Sequence, residues 1–319
     1  MKRSLILFFV TLMSLSVISD SFSNNQPSKD QKTVLVTGAS SGIGLRITEH
    51  LSSQGHFVYA GARKDADLKR LSQMKNVQAI RLDVNKQEQI DAAVKIVEKN
   101  PAGLYALVNN AGVVTLSPLI ETKEKDLDFL MQVNLFGPYR MTKAFAPLII
   151  KQKGRITTTS SISGILSGRL FGPYSMSKHA MEAFSDSLST EMAKFEVKVS
   201  VIEPGNFQSK IGDTFIKRFE KNGGLNNESR YKEEWQAMLD YFNGRPTGAD
   251  PIAVAKAVEH ALFDDKPKMR YMVVPNQREG DMTIRQAMKE LVQLNQNHKF
   301  SLDRKTLIKM LDDAIDTTQ

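Results

Sequence analysis

Two residues with complementary acid–base chemistry, Tyr174 and Lys178, lie four positions apart in the sequence. If this segment is helical, both side chains project from one face, because residues i and i+4 are neighbours on a helix. A lysine ammonium beside a phenol stabilises the phenolate, so we expect the pKa of Tyr174 to fall below its usual value of about 10. Such a tyrosine can exchange a proton with an alcohol or carbonyl oxygen near neutral pH.

A serine in the same region adds a third candidate group, since Ser161 lies thirteen residues before Tyr174. Its hydroxyl can hold a substrate oxygen and stabilise charge that develops there. A Tyr-x-x-x-Lys pair alone also fits a surface tyrosine and lysine. Ser175 and Lys178 spell the Ser-x-x-Lys nucleophile motif of penicillin-recognising enzymes, but the chain contains no Lys-Thr-Gly partner motif. The sequence therefore favours proton transfer by tyrosine over serine hydrolysis.

A glycine-rich turn follows the first β-branched apolar run, Thr33 to Thr37. Glycines let the backbone turn tightly and let a pyrophosphate approach the N-terminus of the next helix, where free N–H groups and the helix dipole stabilise negative charge. A glycine turn without a ligand is the competing interpretation, and no Gly-Lys-Ser/Thr follows to make a Walker loop. The candidate cofactor-binding residues here are Gly38, Ser40, Ser41, Gly42, Ile43 and Gly44.

The end of the second apolar run, Phe57 to Gly61, bears on the choice between NADP and NAD. An acidic residue about 20 positions beyond the glycines would bind the ribose hydroxyls of NAD. Ala62 and Arg63 occupy this place instead. An arginine can pair with a 2′-phosphate through a charge-assisted contact, so the sequence favours NADP, with NAD as the alternative. Lys64 is a second candidate cation, and stacking of Arg63 on the adenine is the other interpretation.

Strand-like and helix-like segments alternate along most of the chain, which predicts βαβ units and a parallel sheet with right-handed crossovers. We therefore expect an α/β fold, a doubly wound parallel sheet of the Rossmann type, in one domain over residues 31–279. The predicted strands are 33–37, 57–61, 77–82, 104–108, 155–159, 197–202 and 270–274. The predicted helices are 43–53, 65–73, 87–99, 123–150 and 174–195.

Two further segments are helix-prone. Residues 206–250 combine aromatic residues with the breakers Gly223, Gly224 and Gly244. They predict either a helical insertion that covers a ligand site, a substrate lid, or a helical pair that closes the core. Residues 280–317 predict one or two amphipathic helices within a C-terminal extension, 280–319, that packs on the body or on a partner subunit.

Taken together, the order and spacing of the motifs over about residues 32–210 resemble the short-chain dehydrogenase/reductase family. The motifs are Thr37-Gly-Ala-Ser-Ser-Gly-Ile-Gly44, Asp83, Asn109-Asn110-Ala111-Gly112, Asn134, Ser161, Tyr174-Ser-Met-Ser-Lys178 and Pro204-Gly205. Ser209 stands where the family has a threonine after the Pro-Gly turn. The stretches Ala183 to Leu188 and Val199 to Gly205 resemble the retinol and hydroxysteroid dehydrogenase branch.

This resemblance implies a catalytic tetrad and a nucleotide site. The tetrad would be Asn134, Ser161, Tyr174 and Lys178, with Asn134 at the proton-relay position. Asp83 and Val84 would border the adenine, and Asn109, Ala111 and Gly112 of the stretch Asn109 to Gly112 would stabilise the central strand beside the cofactor. Pro204 and Gly205 would lie along the nicotinamide, and Tyr174 and Lys178 would contact the cofactor as well. It also implies a homodimer or homotetramer. The expected substrate is a small apolar alcohol or carbonyl compound, and the expected cofactor is NADP, with NAD possible.

The first 30 residues differ from the rest. Lys2 and Arg3 precede an apolar run, Leu5 to Ile18, and small polar residues follow, which is the pattern of a secretory signal with cleavage after Ser23. The alternatives are a retained membrane anchor and, third, a start placed too early or a surface helix. A cleaved signal or a membrane anchor implies export, a luminal location or membrane association through this segment. A start placed too early implies a cytoplasmic protein.

Composition narrows the remaining classes of function. The chain has 319 residues, no cysteine, five histidines and a net charge of +8. The absence of cysteine excludes disulfides, thiolate metal sites and cysteine nucleophiles, and the histidines show no metal-ligand spacing. Because 43 basic and 35 acidic residues are mixed along the chain, we expect a solvated surface and no nucleic-acid binding. The predicted function is alcohol–carbonyl oxidoreduction, and a catalytically silent nucleotide-binding regulator of the same fold is the alternative.

Overall fold

Seven parallel strands form one sheet in the computed structural model, which describes residues 27–29, 31–244 and 248–318. The strands are β1 (Thr33–Val36), β2 (Phe57–Ala62), β3 (Val77–Arg81), β4 (Ala106–Asn109), β5 (Arg155–Thr159), β6 (Lys198–Pro204) and β7 (Arg270–Val273). Their order in the sheet is β3-β2-β1-β4-β5-β6-β7. The predicted doubly wound parallel sheet of the Rossmann type is confirmed.

Eleven helices are present among the described residues. They are α1 (Gly42–Ser53), α2 (Asp65–Leu71), α3 (Gln87–Glu98), α4 (Glu124–Met131), α5 (Gly137–Lys151), α6 (Gly172–Met192), α7 (Ile211–Lys221), α8 (Lys232–Gly244), α9 (Ile252–Phe263), α10 (Gln277–Leu294) and α11 (Arg304–Thr318). One core layer lies between the sheet and α1 and α9, and the other lies between the sheet and α3, α5 and α6.

The strand order reverses between β1 and β4, and this reversal positions the site. β1 is buried along its whole length and pairs with β2 on one side and with β4 on the other. The connections that leave β1 and β4 therefore diverge to opposite sides, which opens a crevice at the carboxyl ends of the strands. Ligands of open α/β sheets bind in such a crevice.

The long helix predicted over residues 123–150 is not α-helical throughout, because a π-helical turn, Gln132–Phe136, separates α4 from α5. Pro138 lacks the N–H that would donate to the Asn134 carbonyl in a continuous α-helix. The backbone widens at this point, and π-turns of this kind are frequent at functional sites.

The helix α9 was not predicted from the sequence pattern. This helix buries Val254, Val258 and Leu262 in the layer that also contains Ile47 and Leu51 of α1. Its mostly apolar sequence lacks the broad polar face by which an amphipathic helix is recognised.

The helix-prone segment 206–250 forms α7 and α8, joined by a loop in which Gly223 and Gly224 have positive φ angles. The C-terminal extension forms α10 and α11. The signal-like segment, residues 1–26, lies outside the described residues, so its prediction stays a prediction. In the part of the chain that the structure describes, no helix is both long and apolar enough to cross a membrane.

Candidate active site

The glycine turn joins β1 to α1 at the crevice, and two of its glycines are required by close approach. Gly38 has a φ of +67°, and a Cβ there would lie 2.9 Å from the Ala111 Cα. A Cβ on Gly44 would collide with the Gly38 carbonyl oxygen and the Asn110 side-chain amide. Only glycine allows the turn, the start of α1 and the loop after β4 to pack this closely.

Thr37 and Asn110 fasten this turn to the end of β4. The Thr37 hydroxyl accepts hydrogen bonds from the backbone N–H groups of Asn110 at 2.9 Å and Ala111 at 3.0 Å. The Asn110 side-chain amide donates to the Thr37 carbonyl at 3.0 Å. These contacts join the two loops across the crevice, so the loops form one rigid edge of the site.

The N-terminus of α1 presents the donors that an anion requires. Ser41 is the N-cap residue, and its side chain makes no capping hydrogen bond to the helix. The first N–H groups of a helix have no intrahelical partner, and they lie at the positive end of the helix dipole. Gly42 has a φ of +54°, and Ser209 lies beside it, 3.0 Å from where a Cβ would stand. Ser209 therefore borders this turn, as its place in the sequence suggested. The free N–H groups at the N-terminus of α1 are donors that fit a diphosphate.

Arginines surround the position expected for the adenosine end of a cofactor. Arg63 follows β2, its side chain is 63% exposed, and its Nη1 lies 3.9 Å from an Asp83 carboxylate oxygen. Arg70 of α2 donates from Nη2 to the Ser40 carbonyl at 2.6 Å, which places a second guanidinium against the glycine turn. Arg81 instead pairs with Asp65 and donates to the Arg63 carbonyl.

Beside Arg63, the chain after β3 closes the adenosine side. Asp83 is held by a hydrogen bond from its backbone N–H to the Gln89 side chain at 2.8 Å. Val84 is buried and packs so closely on the start of α5 that a Cβ on Gly137 would lie 2.7 Å from it. Asp83 and Val84 therefore form the wall next to Arg63, and their contact with an adenine stays a prediction.

The loop after β4 leads to the catalytic candidates. Asn109 is buried and donates to the Thr142 hydroxyl of α5 at 3.1 Å. A Cβ on Gly112 would be 3.5 Å from the Asn134 side-chain oxygen and 4.0 Å from the Lys178 Nζ. Gly112 therefore lies at the base of the site, next to two members of the predicted tetrad.

Asn134 lies in the π-turn, and its side chain binds this loop. Its side-chain oxygen accepts from the Val113 N–H at 2.8 Å, and its amide donates to the Val113 carbonyl at 2.9 Å and the Ser177 hydroxyl at 3.0 Å. Asn134 is 2% exposed, so this side chain ties the π-turn to the loop and to α6. The side-chain amide is fully engaged in structural hydrogen bonds.

Tyr174, Lys178 and Ser161 meet in front of Asn134. The Lys178 Nζ lies 5.7 Å from the centre of the Tyr174 ring and donates to the Thr159 carbonyl at the end of β5 at 2.9 Å. The Ser161 hydroxyl forms a hydrogen bond with the Tyr174 phenol. It also lies 3.4 Å from the Pro204 carbonyl oxygen at the end of β6. The three side chains therefore form one cluster at the carboxyl edge of the sheet.

Pro204 and Gly205 complete the edge next to this cluster. The Gly205 N–H donates to the Val273 carbonyl at 2.8 Å, and the next N–H, of Asn206, donates to the Glu279 carboxylate at 2.8 Å. Gly205 has no room for a side chain, because a Cβ there would collide with that carboxylate. Glu279 thus fixes the turn from behind.

Burial determines the protonation of the catalytic candidates. Burial raises the pKa of Tyr174 to about 12, although its hydrogen bond with Ser161 lowers it. Burial lowers the pKa of Lys178 to about 8, against the negative charge of Glu182, which raises it. This direction is opposite to the one expected from Lys178, because desolvation of the phenolate outweighs the hydrogen bond with Ser161.

An apolar cluster that α7 and α8 form with the loop after β4 and with Leu170 packs against Tyr174. Its buried members are Val114, Leu116, Leu170, Phe215 and Trp235, and Tyr174 is among the partly buried residues packed against them. Arg218 of α7 donates to the Val114 carbonyl at 2.6 Å and to the Thr115 hydroxyl at 2.8 Å. This arginine clamps α7 onto the loop after β4.

A family model described as short chain dehydrogenase matches residues 32–218, which include all of these site residues except Trp235, Val273 and Glu279. The chain belongs to the short-chain dehydrogenase family. Members are oxidoreductases that act on CH–OH groups and bind NAD(P). The match confirms the family resemblance found in the sequence.

Curated relatives and a solved structure agree with this membership. Mitochondrial D-beta-hydroxybutyrate dehydrogenase of Bos taurus is 36% identical over 263 residues, which cover 75% of this short-chain dehydrogenase and 76% of the relative. Estradiol 17-beta-dehydrogenase 2 of Rattus norvegicus is 32% identical over 294 residues, 84% and 74% of the two chains. A short-chain dehydrogenase from Streptomyces avermitilis superposes with a TM-score of 0.71 at 30% identity, over 84% of this chain and 96% of that one.

Two residues that build the site had no role assigned from the sequence of this short-chain dehydrogenase. Thr37 stood inside the glycine motif, and only its hydrogen bonds with Asn110 and Ala111 show that it joins the two loops. Arg70 gave no signal, because it reaches Ser40 across thirty positions of sequence.

In residues 27–29, 31–244 and 248–318, no group of three or more metal-ligating side chains occurs.

Proposed function

We propose that this short-chain dehydrogenase is an NADP-preferring oxidoreductase that interconverts an apolar alcohol and its ketone or aldehyde. The observation that carries the proposal is the Tyr174 phenol, hydrogen-bonded to Ser161 and next to the Lys178 ammonium, beneath an apolar wall. Tyr174 is the general acid/base, and Ser161 holds the substrate oxygen. When bound, the nicotinamide supplies or accepts the hydride.

The protonation of the site suits carbonyl reduction. With a pKa of about 12, Tyr174 carries its proton at neutral pH and can donate it to a carbonyl oxygen that Ser161 holds in place. For alcohol oxidation the phenolate is needed, and positive charge beside Tyr174 lowers the cost of forming it. Lys178 provides one such charge, and its hydrogen bond to the Thr159 carbonyl fixes its position. Asn134 positions the π-turn next to Lys178 and occupies the family's relay position.

The cofactor preference is proposed from the arginines of the adenosine wall. Arg63 is exposed at the end of β2, and Arg70 lies against Ser40, so two guanidinium groups are available to a 2′-phosphate. Ala62 stands where an acidic residue would favour NAD. Asp83 faces Arg63 at 3.9 Å, and a phosphate must compete with this weak, exposed pair.

The substrate preference is proposed from the wall above Tyr174. The cluster around Phe215 and Trp235 supplies aromatic and aliphatic surface, which favours a bulky apolar substrate over a small polar one. The helical pair α7 and α8 is then a substrate lid, the first of the two alternatives for residues 206–250. Estradiol 17-beta-dehydrogenase 2 is a relative whose name fits such a substrate, whereas D-beta-hydroxybutyrate dehydrogenase names a small hydroxy acid.

A cofactor-oxidation screen tests this proposal. NADPH consumption is followed with steroid ketones, retinoids, lipid ketones and acetoacetate, and we expect turnover with the bulky apolar compounds. Tyr174→Phe should lower turnover about 10²–10⁴-fold and leave NADPH binding intact, because the phenol acts only in proton transfer. Tyr139→Phe, at a half-exposed position on α5, is the matched control. Full activity of Tyr174→Phe would refute the mechanism, and bound NADPH with no turnover on any compound would favour a silent regulator.

A further inference from the structure

The last two helices extend away from the body of the protein. The attachment of α10 ends at Glu279, Gly280 and Thr283, which are buried. Over residues 284–317, here called the C-terminal arm, no residue is buried, and all except Gln286, Asn295 and Leu307 are exposed. The arm is nevertheless helical over most of its length.

Large apolar side chains lie along this arm at helical spacing. Ile284, Met288 and Leu291 share one face of α10, and Ile308 and Leu311 share one face of α11; all five are between 43% and 51% exposed. Isolated helices of this length are marginal in water, and most helices in proteins are stabilised by burying an apolar face. The arm therefore carries the surface of an interface rather than of a free helix.

The charges of α11 indicate what covers it. Basic residues occupy its first half, at Arg304, Lys305 and Lys309. Acidic residues occupy its second half, at Asp312, Asp313 and Asp316. This order opposes the helix dipole, which favours acidic residues at the N-terminus and basic residues at the C-terminus. The Asp303 carboxylate just before α11 accepts from the Thr306 N–H at 2.7 Å and offsets this order only at the first turn. A partner whose charges run in the opposite direction compensates the order along the rest of the helix.

We propose that α11 pairs with α11 of a second copy of this chain, antiparallel across a twofold axis. In this arrangement the basic half of each helix faces the acidic half of the other, and the apolar stripe with Ile308 and Leu311 is buried between them. A twofold interface is self-complementary, so one sequence satisfies both sides. A parallel pair would instead place like charges together.

The same charges disfavour two other occupants. The three basic and three acidic residues of α11 cancel, whereas helices that lie on membranes are rich in Lys and Arg on their polar face. The chain's own α10 mixes both signs along its length, at Arg278, Glu279, Asp281, Arg285, Lys289 and Glu290. It therefore offers no half-and-half pattern to match α11.

The pairing is tested by inverting charges in the full-length protein and measuring the mass of the assembly by sedimentation. Lys305→Asp/Lys309→Asp makes α11 wholly acidic beyond Arg304 and should halve the mass of the assembly. Mixing it with Asp312→Lys/Asp313→Lys should restore the mass, since an acidic helix then faces a basic one. Arg285→Asp/Lys289→Asp on α10 changes the charge equally and is the matched control, with no loss of mass. An unchanged mass for the α11 variant would overturn the proposal.

Cross-linking determines the direction of the pair, because the chain has no cysteine of its own. Lys305 and Asp312 flank the same stripe two turns apart. A copy with Lys305→Cys and a copy with Asp312→Cys should form a disulfide when mixed, and neither should cross-link efficiently alone. Self-cross-linking of Lys305→Cys would show a parallel pair and refute the proposal. Arm-dependent flotation with phosphatidylcholine or phosphatidylserine vesicles, without self-association, would assign the arm to lipid instead. None of these measurements depends on turnover.

Discussion

Replacing Lys178 with methionine should stabilise the folded protein at neutral pH while it removes turnover. Lys178 is 6% exposed, and burial lowers its pKa from 10.5 to about 8 in spite of the negative charge of Glu182. A charged group that loses its hydration on folding lowers the free energy of unfolding. The difference of about 2.5 pH units corresponds to about 3 kcal/mol.

The pH dependence of this cost follows from the direction of the shift. Below the folded pKa of about 8 the lysine is charged in both states, so the full cost is present. Between about 8 and 10.5 the unfolded chain binds more protons than the folded one, and stability therefore rises with pH. Methionine has no such charge, but it leaves the Thr159 carbonyl without its donor, which costs about 1 kcal/mol.

Urea denaturation at pH 7 and pH 9.5 measures the effect. We expect Lys178→Met to be more stable than the wild type by about 2 kcal/mol at pH 7 and by about zero at pH 9.5. Lys143→Met, at an exposed position on α5, is the matched control and should change little at either pH. A gain of the same size at both pH values, or a loss at pH 7, would refute the reasoning that burial of this charge destabilises the protein. Turnover of Lys178→Met should fall in the same preparations.

Three further substitutions test the cofactor site and the lid. Arg63→Asp should shift the preference from NADPH towards NADH in the ratio of kcat/KM values, and an unchanged ratio would remove Arg63 from the 2′-phosphate site. Gly44→Ala should destabilise the protein by about 1–3 kcal/mol and weaken nucleotide binding in a titration, because its Cβ meets the backbone of the turn; Gly168→Ala, which has open space around it, is the control. Arg218→Met should raise KM for the apolar substrate more than it lowers kcat, since it releases α7 from the Val114 carbonyl, and equal effects on both would argue against a lid.

The order of the strands, and of the helices other than α9, could be predicted from the sequence because those signals are local. Buried parallel strands are short β-branched runs, and glycine turns and helix periodicity mark their boundaries. Tyr174 and Lys178 could be placed on one face of a helix for the same reason. Their meeting with Ser161 was expected from motif spacing, and the structure brings the three together at the carboxyl edge of the sheet.

The interruption of the predicted helix 123–150 depends on one residue and its surroundings. Pro138 was visible in the sequence, but a proline near a helix can begin, kink or end it. The side chain of Asn134, bonded to Val113 and Ser177, holds the π-turn in place. That choice requires contacts between segments that are distant in the chain.

The protonation of the active site was decided by tertiary structure alone. The sequence determined which groups are present, and from Tyr174 and Lys178 it predicted an ammonium that lowers the pKa of a phenol. Packing of the body and of α7 and α8 around these side chains determined how much water they lose, and desolvation reversed the expected direction for Tyr174. Charge–charge attraction depends on which residues are neighbours, whereas desolvation depends on everything that surrounds them, and only the folded chain specifies that.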